Sequence, residues 1–191
     1  SSPHIDDPAR GFTYREDSPL DCRYDQSQGV SASALLMQSS EEELIRIFKE
    51  FGELKVAHPL VRAIVEARDK KSLSQTSDLV LIVDEVFTFK AKKLLPQIFQ
   101  ALRIAVNDEI GALESLLEYG PTLLNDGGRM GVISYHSLED RLVKQRFGSL
   151  SAGTRASYQL LTKKAVQPTL EEIEQNPRAR SARFRCIKKV S

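Results

Sequence analysis

Two hydroxyl residues, a phenol and an imidazole stand in unbroken succession at Ser134, Tyr135, His136 and Ser137, with the carboxylates of Glu139 and Asp140 directly after them. Groups of these types, so close together, can donate and accept hydrogen bonds, relay a proton or hold a polar ligand. Their flanks say where they sit. Gly127-Gly128 is a turn signal, Met130 to Ile133 is a short apolar and β-branched run that reads as a buried strand, and Leu138 to Lys144 takes up helical spacing. The polar cluster therefore lies at the carboxyl end of a strand, the edge at which open α/β sheets bind ligands. A packing role for His136 is the alternative, and Glu139 and Asp140 could serve only the positive end of the following helix.

The elements that must carry this cluster are mostly helical. Residues 1–29 are rich in Pro, Asp, Ser and Gly and read as a long loop, a type that is commonly functional. Ser39-Ser40 followed by three glutamates predicts a capped helix with Leu44, Ile47, Phe48 and Phe51 on one face, ending at Gly52. A second helix is predicted from about Pro59 to Ala67. A third starts after a Thr76-Ser77-Asp78 cap, and the three form an all-helical unit over roughly residues 30–90. The stretch Leu94 to Leu124 reads as mostly helical, with Pro96 in its first turn and a break at Gly120-Pro121. Two more strands are predicted, Tyr158 to Thr162 and Arg183 to Ile187, on either side of a short capped helix at Thr169 to Ile173.

With 191 residues of ordinary globular composition, the chain is long enough for a real core. No apolar run nears the ~20 residues that span a bilayer, and no secretion signal opens the chain, so a cytoplasmic location is expected. Cys22 and Cys186 lack metal-ligand spacing and read as packing residues, and no metal site is assigned. The net charge of +1 conceals a division: residues 1–140 carry 15 Lys/Arg against 23 Asp/Glu, net −8, whereas residues 141–191 carry 12 against 3, net +9. The cluster Arg178, Arg180, Arg183, Arg185, Lys188 and Lys189 suits a phosphate-bearing partner or a solvated face.

Five strings occur in one order that resembles the RsmH (MraW) family of bacterial enzymes: Ser1 to Phe12, Pro19 to Asp25, Phe99 to Glu109, Gly127 to Arg141, and Asn176 to Ala182. The resemblance implies an α/β fold, a partial class I S-adenosylmethionine (SAM)-dependent methyltransferase sheet, Rossmann-like, with an inserted all-helical domain. It implies residues 1–25 as the loop after the fourth strand, 26–92 as the insertion and 93–191 as the C-terminal part of the methyltransferase domain. The implied reaction is SAM-dependent N4-methylation of a cytidine in the decoding region of 16S rRNA, with 16S rRNA or the small ribosomal subunit as partner and no membrane. The rival reading is a non-catalytic RNA-binding or dimerisation module.

The exocyclic nitrogen of cytosine is a poor nucleophile because its lone pair is delocalised, so an enzyme must orient it and accept its proton. The resemblance implies Ser2 and Pro3 for that work and His4 as a cofactor contact; His136 and Ser134 join them as catalytic candidates from their place at the strand end. Arg10 beside Phe12, and Asp21 beside Arg23, suit stacking on an unpaired base and contact with phosphate, or else salt bridges within the loop. Tyr135, Ser137, Arg178 and Arg180 complete the candidate RNA-binding set. Gln100, Arg103 and Asn107 form a polar stripe on the long helix that needs partners.

Several positions depart from the family pattern: His4 stands where Gln is common, Ser18 for Gly, Cys22 and Tyr24 for Met, and Phe51 for Tyr. The family's glycine-rich loop and the acidic residue that holds the cofactor ribose lie upstream of the strings seen here, so the isolated chain is expected to be inactive and to bind SAM poorly. The strand at Met130 would then present an unpaired edge, a template for pairing with another chain. The expected outcome is self-association, as a homodimer or beyond, seen as a concentration-dependent sedimentation coefficient; a monomer at every concentration would contradict it.

Overall fold

The early polar segment has almost no regular structure, yet its main chain is tied down at several points in the computed structural model, which describes residues 7–153 and 156–190. Leu20 N–H donates to the Ser74 carbonyl, and Thr76 N–H to that of Ser18, both at 2.8 Å. The carbonyls of Leu20 and Asp21 accept from Ser33 and Ala32, at 2.8 and 2.7 Å, satisfying amides that the first helix leaves without an internal partner. Leu20 and Cys22 drop into the core. Burial, with Asp21 beside it, pushes the Cys22 thiol up to about 12, so it stays protonated and donates to the Gly11 carbonyl at 3.0 Å. Gly11 has φ +69, and a Cβ there would lie 2.3 Å from the Pro19 carbonyl oxygen, so only glycine lets the two arms of the loop approach.

The chain divides into two compact units, Ser1–Glu109 and Ile110–Ser191. In the first, five α-helices among the described residues surround one core: α1 (Ala32–Gln38), α2 (Glu41–Glu50), α3 (Ala57–Arg68), α4 (Thr76–Phe87) and α5 (Ala91–Asn107). Ser31 and Ser40 accept from the amides of Ala34 and Glu43, and three glutamates occupy the first turn of α2. The apolar stripe Leu44, Ile47 and Phe48 is buried, as its spacing predicts. Arg68 closes the other end of α1 by donating to the carbonyls of Leu36 and Ser39, at 2.9 and 2.7 Å.

Among the boundaries that differ from the sequence expectation, three have a local reason. The cap of α4 is Gln75 with Asp78 in a reciprocal capping box. The Thr76 hydroxyl is instead engaged by the early loop, accepting from Ser18 N–H and donating to the Glu16 carbonyl. Helix α5 starts at Ala91, so Pro96 lies past the first turn, where it has no N–H to offer the Lys92 carbonyl. The long helical stretch ends at Asp108, whose left-handed conformation (φ 47, ψ 44) separates α5 from α6 (Glu109–Tyr119). A 3-10 turn at Gly120–Leu123 ends α6 where Gly120-Pro121 signals a break.

The second unit holds a three-stranded sheet ordered β1-β3-β2, with β1 (Arg129–Ser134), β2 (Tyr158–Leu160) and β3 (Arg183–Lys189). The last strand lies in the middle, antiparallel to both neighbours. Helix α7 (Ser137–Leu150) packs on the sheet, burying Val143 and Phe147 with Ile187. A short helix, α8 (Leu170–Gln175), is capped by Thr169. Among the described residues β1 pairs only with β3, so its other edge is unpaired there. No described helix is long and apolar enough to cross a membrane.

Gly131 opposes Cys186 in β1, and the Phe184 ring, its diagonal neighbour, covers the glycine. A Cβ at Gly131 would lie 2.6 Å from the Phe184 Cε2 atom. Gly131→Ala is expected to displace that ring and lower stability by about 1–3 kcal/mol, measured as a lower urea midpoint.

Candidate functional site

Strand β1 ends at Ser134, which is buried and opposite Arg183 in register; its hydroxyl donates to the Arg183 carbonyl at 3.3 Å. The next residues leave the sheet. Tyr135 is more than half exposed, and His136, in extended conformation, is the N-cap of α7. Its Nδ1 accepts from the Glu139 amide at 3.4 Å, while Glu139 Oε2 reaches back to accept from the amides of Tyr135 (2.8 Å) and His136 (3.3 Å). This reciprocal box employs the free amides at the head of α7. Burial opposes the charge on Glu139, but His136 and the two amides outweigh it and hold the carboxyl below its ordinary range.

An acceptor role for His136 Nδ1 leaves the proton of the neutral ring on Nε2. That atom is buried and has no hydrogen-bond partner among the described residues, with Glu139 Oε1 the nearby charge at 3.4 Å. The imidazole thus caps a helix through one nitrogen and faces the Glu139 carboxylate with the other.

Asp140 does more than favour the helix dipole. It is buried and takes a two-point contact from Arg185, Nε to Oδ1 at 2.7 Å and Nη2 to Oδ2 at 3.1 Å, and a further bond from Arg183 Nη1 at 3.1 Å. Arg185 is itself only 7% exposed. The Arg185 guanidinium, seconded by Arg183 and opposed by burial, holds the Asp140 carboxyl below its usual value. The first turn of α7 is thereby fastened to the start of β3.

Between these elements lies a cavity of about 350 Å³, bordered by Tyr135, His136 and Ser137 on one side and Gln167, Arg180, Ser181, Ala182 and Arg183 on the other. Arg180 and Ser181 come from a 3-10 turn, Pro177–Ser181, started by the Asn176 side chain, which accepts from the Arg178 amide at 3.2 Å, and anchored by buried Ala179. Gln167 follows Val166, which pairs with Phe184 through two 2.9 Å backbone bonds. The wall carries two guanidiniums, three hydroxyls and an amide, and no carboxylate. It can hold an anion or the polar edge of a base, with the Tyr135 ring available to a flat ligand.

The fold brings Ser134, Tyr135, His136, Ser137 and Arg180 of the sequence candidates to one place. Arg178 is exposed on the same 3-10 turn but off the cavity wall. Ser2, Pro3 and His4 lie outside the described residues. Arg10, Phe12, Asp21 and Arg23 gather in the first unit. There Arg10 donates to the Tyr24 carbonyl at 3.0 Å and to Asp7, Phe12 stacks on Tyr24 with centroids 5.2 Å apart, and Arg23 grips Asp21 at two points, 2.9 and 2.8 Å. Of the polar stripe of α5, Asn107 serves the same loop, accepting from Tyr24 N–H and donating to the Cys22 carbonyl, while Arg103 pairs with Glu109 and Gln100 donates to the Phe51 carbonyl. Gln167, an isolated polar residue in a loop, carries no sequence signal; Ser181 is legible only as part of the string Asn176 to Ala182, and Arg183 only as the start of a strand within a basic cluster.

Comparison with known proteins adds an independent finding. A family model described as the MraW methylase family matches residues 1–190. Proteins named ribosomal RNA small subunit methyltransferase H are similar along essentially the whole chain. The one from Limosilactobacillus fermentum is 42% identical over 207 aligned positions, covering 100% of this chain and 66% of that protein. The one from Prosthecochloris aestuarii is 43% identical, covering 99% and 62%, and that of Halothermothrix orenii 38%, covering 100% and 67%. The chain spans about two thirds of the length of the curated relatives it matches.

The geometry around Asp140 sets a pH dependence. Its folded-state pKa lies below the ordinary 3.8, so its stabilisation is complete above that value and is lost as pH falls through the lower, folded one. Asp140→Asn is expected to reduce unfolding free energy by about 3–5 kcal/mol near neutrality, because it strands a buried guanidinium. The gap between parent and variant should shrink on acidification in urea titrations; a constant gap would show that the charge is not responsible.

Proposed function

Because this chain belongs to the MraW methylase family, we propose that it forms the RNA-holding face of an enzyme that transfers a methyl group from SAM to the N4 amino group of a cytidine in the decoding region of 16S rRNA. The observation that carries this reading is the cation-lined cavity at the carboxyl end of β1, where Tyr135, His136 and Ser137 meet Arg180 and Arg183. In this reading the two guanidiniums take phosphates beside the target nucleotide, and the Ser137 and Ser181 hydroxyls read its polar edge. The Tyr135 ring supports the base face. The fixed turn at His136 positions the base, and holding a weak nucleophile in one orientation is itself a large part of such catalysis.

The cavity does not fit SAM. A sulfonium and a ribose diol call for carboxylate partners, whereas the wall presents Arg180 and Arg183 and no carboxylate. No residue of this wall is therefore assigned to the cofactor, and the family's use of SAM is placed elsewhere in the enzyme. Ser2 and Pro3 remain the proposed acceptor side for the amino proton, and His4 the proposed cofactor contact, on the resemblance alone. The central, antiparallel β3 and the unpaired side of β1 support reading these strands as one margin of a Rossmann-like sheet, where further strands or a second copy of the chain would pair. The segments 1–25, 26–92 and 93–191 are proposed as loop, helical insertion and C-terminal part of the methyltransferase domain. A ribosomal substrate places the protein in the cytoplasm.

Binding of a labelled 16S decoding-region RNA tests the proposal. Arg180→Gln and Arg178→Gln are each expected to weaken binding and to flatten the dependence of log K on log salt by about 0.7–0.9 per phosphate contact removed. An unchanged slope in both variants refutes the RNA role of this face.

A further inference from the structure

Phe89 is fully exposed, although phenylalanine is among the side chains most often buried. Its neighbours are anchored. Phe87 packs partly against the core of the first unit and Ala91 is completely buried. Between them Thr88, at φ 43 and ψ −111, turns the chain into a 3-10 turn at Thr88–Lys90, closed by the Ala91 amide on the Thr88 carbonyl. The ring is thus held outward by contacts on both sides of it.

Three exposed lysines follow, Lys90, Lys92 and Lys93. The last two stand three and four positions beyond Phe89 in a continuous helical run, so they share its face. No ion pair holds any of the three among the described residues. No Asp or Glu occurs from Val86 to Asn107, which makes the lysines a basic island within the acidic part of the chain. Lys92 and Lys93 also occupy the first turn of α5, which holds no acid. Cations there oppose the helix dipole, a local penalty that a bound anion offsets.

We propose that Phe89, Lys92 and Lys93 form a docking point for an unpaired stretch of RNA, with a base stacked on the ring and the lysines on the adjoining phosphates. This rests on the RNA reading above and adds to it a contact in the helical unit. The positions beside the ring are lysines rather than further apolar side chains, which favours nucleic acid over an apolar protein surface.

The chain contains no tryptophan, so Phe89→Trp places a sole indole at the tip. Titrating the full chain with a single-stranded oligoribonucleotide of decoding-region sequence is expected to quench that indole. Phe89→Ala should weaken binding about tenfold or more, and Phe89→Leu, which keeps apolar bulk without the ring, should lose nearly as much. Lys92→Gln with Lys93→Gln should lower the salt slope by about 1.4. Circular dichroism should be unchanged, since the substituted side chains are exposed. An unquenched indole, or parental affinity in Phe89→Ala or Phe89→Leu while Arg180→Gln still flattens the salt slope, overturns the docking point and leaves the cavity reading intact. Absence of RNA binding by the parent chain overturns both. If Phe89→Ala abolishes self-association and leaves RNA affinity unchanged, the ring meets a second copy of the chain and the proposal fails.

Discussion

Asp140 and Arg185 meet in the interior of the second unit, and the geometry of the polar end of β1 follows from that contact. A carboxylate and a guanidinium removed from water are tolerated only when each satisfies the other. The pair therefore admits one register between the first turn of α7 and the beginning of β3. Once that register is set, His136 can cap the helix, Ser134 can face Arg183, and Arg183 is held where it borders the cavity. The same carboxylate thus stabilises a fold and aims a cation.

The first unit solves a similar problem with neutral groups. A long loop with little regular structure would leave buried amides and carbonyls unpaired, and single side chains of α4 and α5 supply partners to them. Asn107 satisfies Tyr24 and Cys22 from one side chain, and Thr76 does the same for Ser18 and Glu16. Arg10 and Arg23 are occupied by Asp7, Asp21 and loop carbonyls. Their charge is spent largely on the loop's own conformation, which makes the loop a shaped surface rather than a row of free cations.

Charge is distributed to match. An acidic majority of the chain keeps indiscriminate attraction to polyanions low, while positive charge is gathered where β1 ends and at the start of α5. In the proposed RNA reading, concentrating cations at a few shaped places favours a defined grip over uniform adhesion, because each place engages only bases and phosphates in the right geometry.

Much of the fold was legible in the residue order. The capped helix at Ser40, the strand into Ser134, the break at Gly120-Pro121 and the paired strands near Tyr158 and Arg183 rest on local spacing and cap chemistry, which act over a few residues. So did the polar run from Ser134 to Ser137 and the basic tail. What residue order left open was decided by contacts distant in sequence. Asp140 reads as a helix-terminal acid until β3 brings Arg185 to it across 45 positions. Gln167 has no meaning until Val166 pairs with Phe184, and the start of α4 shifts because the early loop claims Thr76. Caps, turns and periodicity are short-range and so are determined by sequence alone; the pairing of a buried charge, and the cavity that pairing shapes, exist only after the chain has folded around them.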